Sequence, residues 1–430
     1  MEISEIDLTP PETIGLARLF AIGFRGGDYG PVITELLGRL ERDAGDAAAL
    51  FDLGTILMLN GKRREGLDCQ QDALRLGRLF CQPATGSATS PLRLLMLAVP
   101  GDFMANTPVQ FLLEGAGVTL DTLYLQADGN LPDLLPPHDI LLVGIGESDE
   151  NAPVLRSLQP ALTAWPRPVL NRPADVLSLA REKLAATLGP GRGLDVPVTV
   201  RIGREALERL ANGKAQPFDL LGEGGYPIIA RPIGSHAGHG LSKLDTPAAV
   251  RAYLETQKGG EFSIARFVDY SGADGLFRKF RIALVGGRPF LCHVAIGRHW
   301  MLHYLNAGMA ESAAKRAEEA ALMAAFDIDF SARHRDALAE LAALAGLDYF
   351  AVDCAETREG RLLVFETDTA MIVHDMDPPD LYPYKGPQMK KIFKAFREML
   401  HSRALAGPVR DGASATPAVR EMAGDVLAAG

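Results

Sequence analysis

Apolar residues recur at three- and four-residue spacing through Pro31–Leu40, Asp46–Leu59 and Arg63–Leu76, with Gly61 punctuating the last two. That spacing puts apolar side chains on one face of a helix, so residues 1–82 read as an all-α module. Cys81–Pro91 (CQPATGSATSP) is a linker by composition. The pattern then changes. LRLLMLAVP, a helix-like stretch near Thr107–Glu114, TLDTLYL and DILLVGIG alternate strand and helix signals, which predicts a small parallel α/β unit over 91–170. A third block, 171–402, opens with a helix around Asp175–Leu188 and continues in short strands. The tail, 403–430, is rich in Ala, Gly and Pro and is expected to be loosely ordered apart from one last helix.

The most informative stretch is Tyr349–Asp368, YFAVDCAETREGRLLVFETD. Two apolar runs flank the polar turn Thr357–Gly360, the signature of a β-hairpin. Alternation puts Glu366 and Asp368 on one face. With an even number of loop residues, Asp353 pairs near Val364 or Glu366 and its carboxylate joins them; an odd loop with a bulge spoils that parity. Three carboxylates on one face repel unless a cation neutralises them, and hard oxygen ligands suit Mg²⁺ with phosphates completing its shell. The competing reading is a solvated hairpin end carrying ordinary surface charges.

A chain of 430 residues implies two to four domains, and its 47% apolar and 23% charged residues are ordinary for a globular protein. The net charge of −10 and the lack of a Lys/Arg block argue against a nucleic-acid partner. The longest apolar runs, such as Leu94–Val99 and Ile140–Ile145, fall far below the roughly 20 residues that span a bilayer. The N-terminus MEISEIDLTPPE lacks a signal pattern, so a cytoplasmic location without membrane partners is expected. Cys69, Cys81, Cys292 and Cys354 have neither disulfide-framework nor zinc spacing. Gly144 and Gly146 follow a strand, but Asp149 stands where a dinucleotide fingerprint needs its third glycine, and no Walker-type loop occurs.

Four features precede the acidic hairpin. Lys183 lies on the helix after NRPADVLSLARE; by itself it reads as a surface charge. YPIIARPIGSHAGHGLSKL is a strand reaching Arg231, then a loop with Gly234, Ser235, Gly238 and Gly240, where glycine allows backbone N–H groups to approach an anion. FSIARFVDYSG is a strand ending in a polar turn, whose backbone could receive a flat base. LFRKFRIALVGGRPFLCHVAI is a hairpin carrying Arg278, Lys279 and Arg281, and arginine's fork matches phosphate or carboxylate oxygens. The segment HVAIGRHWMLHYLNAGM after it holds His293, Arg298, His299 and His303. Acceptor binding fits it better than zinc, because no acidic partner accompanies the histidines and Trp300, Met301 and Leu302 suggest packing.

Helix lysine, strand Arg with glycine loop, hinge strand, arginine hairpin and Asp…Glu-x-Asp, in that order, resemble the ATP-grasp superfamily of carboxylate–amine ligases over about residues 92–400. Asp46–Leu79 also resembles one tetratricopeptide-type helical hairpin, which must dock on something because a single repeat leaves an apolar face uncovered. The resemblance implies an α/β and α+β fold: a helical module, an α/β pre-grasp domain and a two-lobed nucleotide-binding domain. ATP and Mg²⁺ are the implied cofactors. Lys183 and Arg231 would hold the α- and β-phosphates under the loop Gly234–Gly240. Arg266, Phe267, Val268 and Asp269 would receive adenine and ribose. Arg281 would steady the transferring phosphate, Asp353, Glu366 and Asp368 would bind Mg²⁺, and Lys279, His293 and Arg298 would touch substrate.

Three positions depart from the family pattern: Arg231 for lysine, Arg266 for the hinge glutamate and Asp368 for asparagine. The expected reaction is ADP-forming ligation of a carboxylate to an amine, on small molecules or a peptide recruited by the helices. The alternatives are a degenerate binding scaffold, or phosphorylation without ligation.

Overall fold

The computed structural model describes residues 10–86, 91–188, 193–235 and 238–407. The chain opens with α1 (Leu16–Phe24), α2 (Gly30–Arg42), α3 (Ala47–Leu59) and α4 (Arg63–Leu76). Asp46 caps α3: its carboxylate accepts from Ala49 N at 2.9 Å and takes both arms of the Arg39 guanidinium at 2.8 and 2.9 Å. α3 and α4 cross at glycines. A Cβ on Gly54 would lie 2.8 Å from Gly66 O, so only hydrogen side chains permit this approach. α1 is fastened to α3 by Asp52, a buried carboxylate that accepts from Ile14 N and Gly15 N at 2.7 and 3.2 Å.

The helical module does not end where composition placed its boundary. Leu79–Gln82 forms β1, which pairs antiparallel with β3 (Val118–Tyr124), so the expected linker begins inside a strand; its residues 87–90 lie outside the described residues. Phe80 on β1 and Tyr124 on β3 both pack against Phe51 of α3 with tilted rings, at 4.8 and 5.0 Å. β2 (Leu92–Ala98), β4 (Ile140–Val143) and β5 (Val169–Leu170) complete a sheet of order β1-β3-β2-β4-β5, parallel except at β1. Its central strands are apolar on both faces, as burial between layers requires.

Two further sheets follow. The smaller, β7-β10-β8-β9, joins Thr199–Gly203, Glu261–Arg266, Ile228–Pro232 and Ser242–Leu244, all antiparallel. The larger, β12-β11-β13-β14-β6, joins Arg288–Gly297, Phe277–Val285, Tyr349–Glu356, Leu362–Asp368 and the short parallel β6, Leu194–Asp195. One face of the larger sheet (Phe280, Ile282, Val352, Cys354, Val364) shares an apolar core with Leu95, Leu141 and Leu155 of the α/β unit. The two regions are therefore continuous in their packing. The mixed α/β and α+β architecture behind an all-α start is as the pattern predicts. The single helix expected around Asp175–Leu188 is broken into Pro173–Val176, a 3₁₀ turn and Arg181–Leu188. The final helix, Lys385–Ala406, runs past the predicted tail boundary; the remainder of that tail, from 408, lies outside the described residues. Among the described residues no helix is long and apolar enough to cross a membrane.

Burial pushes the Asp52 carboxyl up to about 6 despite its two backbone donors. A carboxyl raised in the folded state costs stability on ionising, so wild type should lose stability relative to Asp52→Asn as pH climbs from about 4 to about 6, then hold level. The change should be on the order of 2–3 kcal/mol, because each tenfold difference in proton affinity between the folded and unfolded chain is worth about 1.4 kcal/mol. Urea titrations of both proteins across that range check it.

Candidate functional site

Alternation along β11 and β13 buries one set of side chains and aims Lys279, Arg281 and Asp353 at the opposite face of the larger sheet. Cross-strand register then lines up His293, Arg281, Asp353 and Glu366 in one row over β12, β11, β13 and β14. The last alignment depends on two irregularities. The hairpin closes at Glu356–Leu362 around an odd number of residues, 357–361, which alone would set Asp353 opposite Phe365. A bulge between Cys354 and Asp353 skips Phe365 and restores Glu366 as the partner. The bulge expected to spoil the parity rescues it.

Asp353 is almost wholly buried, at 3% exposure, and held by two cations. Arg281 donates Nε and Nη2 to its two oxygens at 2.8 and 3.1 Å, and Lys279 Nζ lies 2.7 Å from Oδ2. Burial pushes this carboxyl up, but Arg281 and then Lys279 outweigh it and hold it well below the usual range. Glu366 pairs instead with Arg181. Burial, then repulsion from Glu366, pushes Asp368 up to about 7; among the described residues its one close donor is Ala370 N, at 2.8 Å. Among the described residues no three His, Cys, Asp or Glu side chains converge as metal ligands, and Asp353 is already held by Arg281 and Lys279. Glu366 and Asp368, neighbouring like charges, are the pair whose repulsion a divalent cation would relieve.

Between the smaller and the larger sheet lies a cavity of about 210 Å³. Arg181, Arg231, Lys279 and Glu366 form its charged part; Phe267, Val268, Trp300 and Phe365 belong to its apolar part. Arg231 is its least compensated charge. Its Nε donates to Ser235 Oγ at 3.2 Å, no carboxylate lies within ion-pair distance among the described residues, and burial followed by the like charge of Arg181 holds it down to about 10. A desolvated guanidinium facing a second one is a site waiting for an anion. His303 also lines the cavity and abuts Gly238, where a Cβ would meet its Nε2 at 2.9 Å.

The cavity gathers Arg231, Gly238, Arg266, Phe267, Val268, Lys279 and Glu366 from the sequence-predicted set. The others lie elsewhere. Lys183 donates Nζ to Leu177 O at 3.0 Å; from that helix it is Arg181 that lines the cavity. Residues two apart do not share a helical face, and nothing in the pattern chose between them. Gly234, Ser235 and Gly240 do not line the cavity, although Ser235 serves Arg231; residues 236 and 237 of the same loop lie outside the described residues. Asp269 turns away to Arg358 at 3.1 Å. Arg266 is tethered by Asp195 and by Glu223 at 3.0 Å, which explains an arginine at that position as an anchor between strands. Arg298 is exposed. His293 packs against Tyr304 with tilted rings at 4.6 Å, and its buried Nδ1 has no partner among the described residues; burial, then Arg281 and Lys385, keeps it far below its ordinary value. Arg181, Trp300 and Phe365 are the residues that sequence reasoning missed or read as packing.

No protein-family model matches the chain. Among solved structures, D-alanine–D-alanine ligase from Bacillus anthracis complexed with ATP is similar at 13% identity, covering 73% of this chain and 97% of that one, with a TM-score of 0.43. The D-alanine–D-alanine ligase of Coxiella burnetii is 10% identical over 73% of this chain and 96% of that one, TM-score 0.45. A RimK domain ATP-grasp protein from Sphaerobacter thermophilus is 18% identical over 73% and 99%, TM-score 0.39.

Asp353→Ala strands Arg281 and Lys279 as unpaired, partly buried charges, and the expected loss is about 3 kcal/mol in urea unfolding. Because the folded carboxyl is depressed, the wild-type advantage should be full above the unfolded value near pH 4 and shrink as pH falls below it.

Proposed function

We propose that the chain is an ATP-grasp ligase that uses Mg²⁺ and ATP to activate a carboxylate as an acyl phosphate and couple it to an amine. The observation that carries this reading is the Arg231 guanidinium, which has no ion-pairing carboxylate among the described residues and lines one cavity together with Arg181, Lys279 and the apolar Phe267, Val268, Trp300 and Phe365. A triphosphate on a flat base has that same polarity. The order of motifs along the chain supports it independently.

In this reading Arg231, Arg181 and Lys279 bind phosphate oxygens, and Gly238 lets the loop backbone approach them. Phe267, with Trp300 edge-on at 5.8 Å, borders the base. Phe267 N–H already donates to Pro227 O at 3.0 Å, so recognition of the base falls to neighbouring backbone groups. Glu366 and Asp368 would hold Mg²⁺, which would neutralise phosphate charge. Arg281 fixes Asp353 with two of its nitrogens, and its side chain remains 24% exposed. The substrate carboxylate oxygen forms a bond to the γ-phosphorus as the bond to ADP breaks. The amine nitrogen then attacks the carbonyl carbon, phosphate leaves with the C–O electron pair, and the amine proton passes to solvent. The chain's contribution is alignment and placed positive charge.

Mg-ATP should bind the purified chain in isothermal titration, and Arg231→Met should weaken binding at least about tenfold, as for loss of one charge-assisted contact of about 1.5–3 kcal/mol. Unfolding of that variant without nucleotide should occur at an unchanged or higher temperature, because a repelled buried charge is removed. Wild-type chain that binds no Mg-ATP overturns the proposal. A scaffold reading is favoured by the closed Arg281–Asp353 pair; binding without ADP formation from any carboxylate–amine mixture would select it.

A further inference from the structure

After β12 the chain does not pass straight to the next helix. Residues 300–303 line the cavity between the sheets, and the segment that carries them is fastened to the body at both ends. Tyr270 Oη donates to Trp300 O at the near end. Leu302 is buried in the shared core, so close to β12 that a Cβ on Gly297 would lie 2.6 Å from it. At the far end Asn306 Oδ1 accepts from His303 N at 2.8 Å, and Tyr304 Oη donates to Glu319 Oε2 at 2.9 Å. Glu319 is fully buried and its other oxygen accepts from Val294 N at 3.0 Å, which ties the segment to β12 itself.

Supports on both sides give the half-buried His303 imidazole a fixed place. Its Nε2 lies 2.9 Å from where Gly238 would carry a Cβ, so the ring nitrogen rests against the glycine loop at a point that only glycine leaves open. The imidazole lines the same cavity as Arg181, Arg231 and Lys279. It feels Lys279, Asp353, Arg281 and Glu366, all from the working face of the larger sheet, which puts it at the charged rather than the apolar part of the cavity. We propose that His303 is a further nucleotide-contacting residue, whose Nε2 donates a hydrogen bond to an oxygen of the terminal phosphate of a nucleoside triphosphate. This rests on the ligase reading, and it adds a contact that tells a triphosphate from a diphosphate. Burial, then Lys279, holds the imidazole below its ordinary value; Arg281 acts the same way, and Asp353 and Glu366 oppose it. Arg181 and Arg231 add positive charge from the cavity wall. A phosphate group set among these cations favours the imidazolium, so binding draws a proton from solvent onto His303 and the proton returns when the phosphate leaves.

The test uses the full chain in isothermal titrations with Mg-ATP and with Mg-ADP near pH 6, each in two buffers of different ionisation enthalpy, so that proton uptake is read beside affinity. Wild type should take up more protons with Mg-ATP than His303→Gln does, by up to about half a proton, as for a one-unit rise of an imidazole centred on the working pH. Comparing the two proteins isolates His303 from other groups that exchange protons on binding, Asp368 among them. With Mg-ADP the two should take up protons equally. His303→Ala should raise the Mg-ATP dissociation constant about tenfold, the scale of one charge-assisted hydrogen bond, and the Mg-ADP constant less than about twofold. A merely structural histidine would weaken both nucleotides alike and leave the proton count untouched. Weakening that does not single out Mg-ATP, or equal uptake by wild type and His303→Gln with Mg-ATP, overturns the contact and leaves the nucleotide reading standing. Wild type that binds no Mg-ATP overturns that reading, and the contact with it.

Discussion

The bidentate bond between Arg281 and Asp353, joined by Lys279, organises the working face of the larger sheet. Three ionised groups in the middle of adjacent strands are tolerable only because each satisfies another; removing any one exposes the desolvation cost of the rest. The pairing also sorts the surrounding charge. With Asp353 occupied, Glu366 is left to Arg181, and Asp368 is left with a backbone donor and a repelling neighbour. Arg231, which lines the same cavity as Arg181, is left without an ion-pairing carboxylate among the described residues. The site therefore holds an uncompensated cation toward the cavity and an uncompensated acid at the strand end. In the proposed reading, a polyanion with a metal ion would relieve both.

Continuity of packing gives this face its rigidity. The apolar side of the larger sheet shares its core with the parallel sheet, and β1 stitches the helical module onto the far edge of that parallel sheet. The module is consequently placed against the body by a strand and an aromatic cluster rather than tethered by a linker. Its first helix can then stand over the segment that follows Asp368, which a loosely attached repeat could not do reproducibly.

Much of the fold was legible because periodicity reports burial. The spacing of apolar residues located α2, α3 and α4, and the runs at β2, β3 and β4 announced a parallel sheet covered on both faces. The acidic hairpin was legible as well, since apolar runs around a polar turn leave few alternatives. What misled was local. Lys183 and Arg181 lie two apart on one helix, and only packing shows which one reaches the cavity. Arg266 looked like a substituted ligand until Asp195 and Glu223 closed on it. Cys81 sat in a composition typical of linkers, yet edge pairing with β3 makes it part of a strand.

The amino-acid order by itself determined which residues are able to carry charge at strand positions, and that Glu366 and Asp368 share a face, because side-chain alternation is a local property of the backbone. It did not determine which carboxylate meets which cation. That was decided by register across four strands, by one skipped residue at Phe365, and by the approach of the helix bearing Arg181 from a distant part of the chain. Ion pairing inside a protein is a competition among all charges within a few ångströms, and only the assembled structure states who the competitors are.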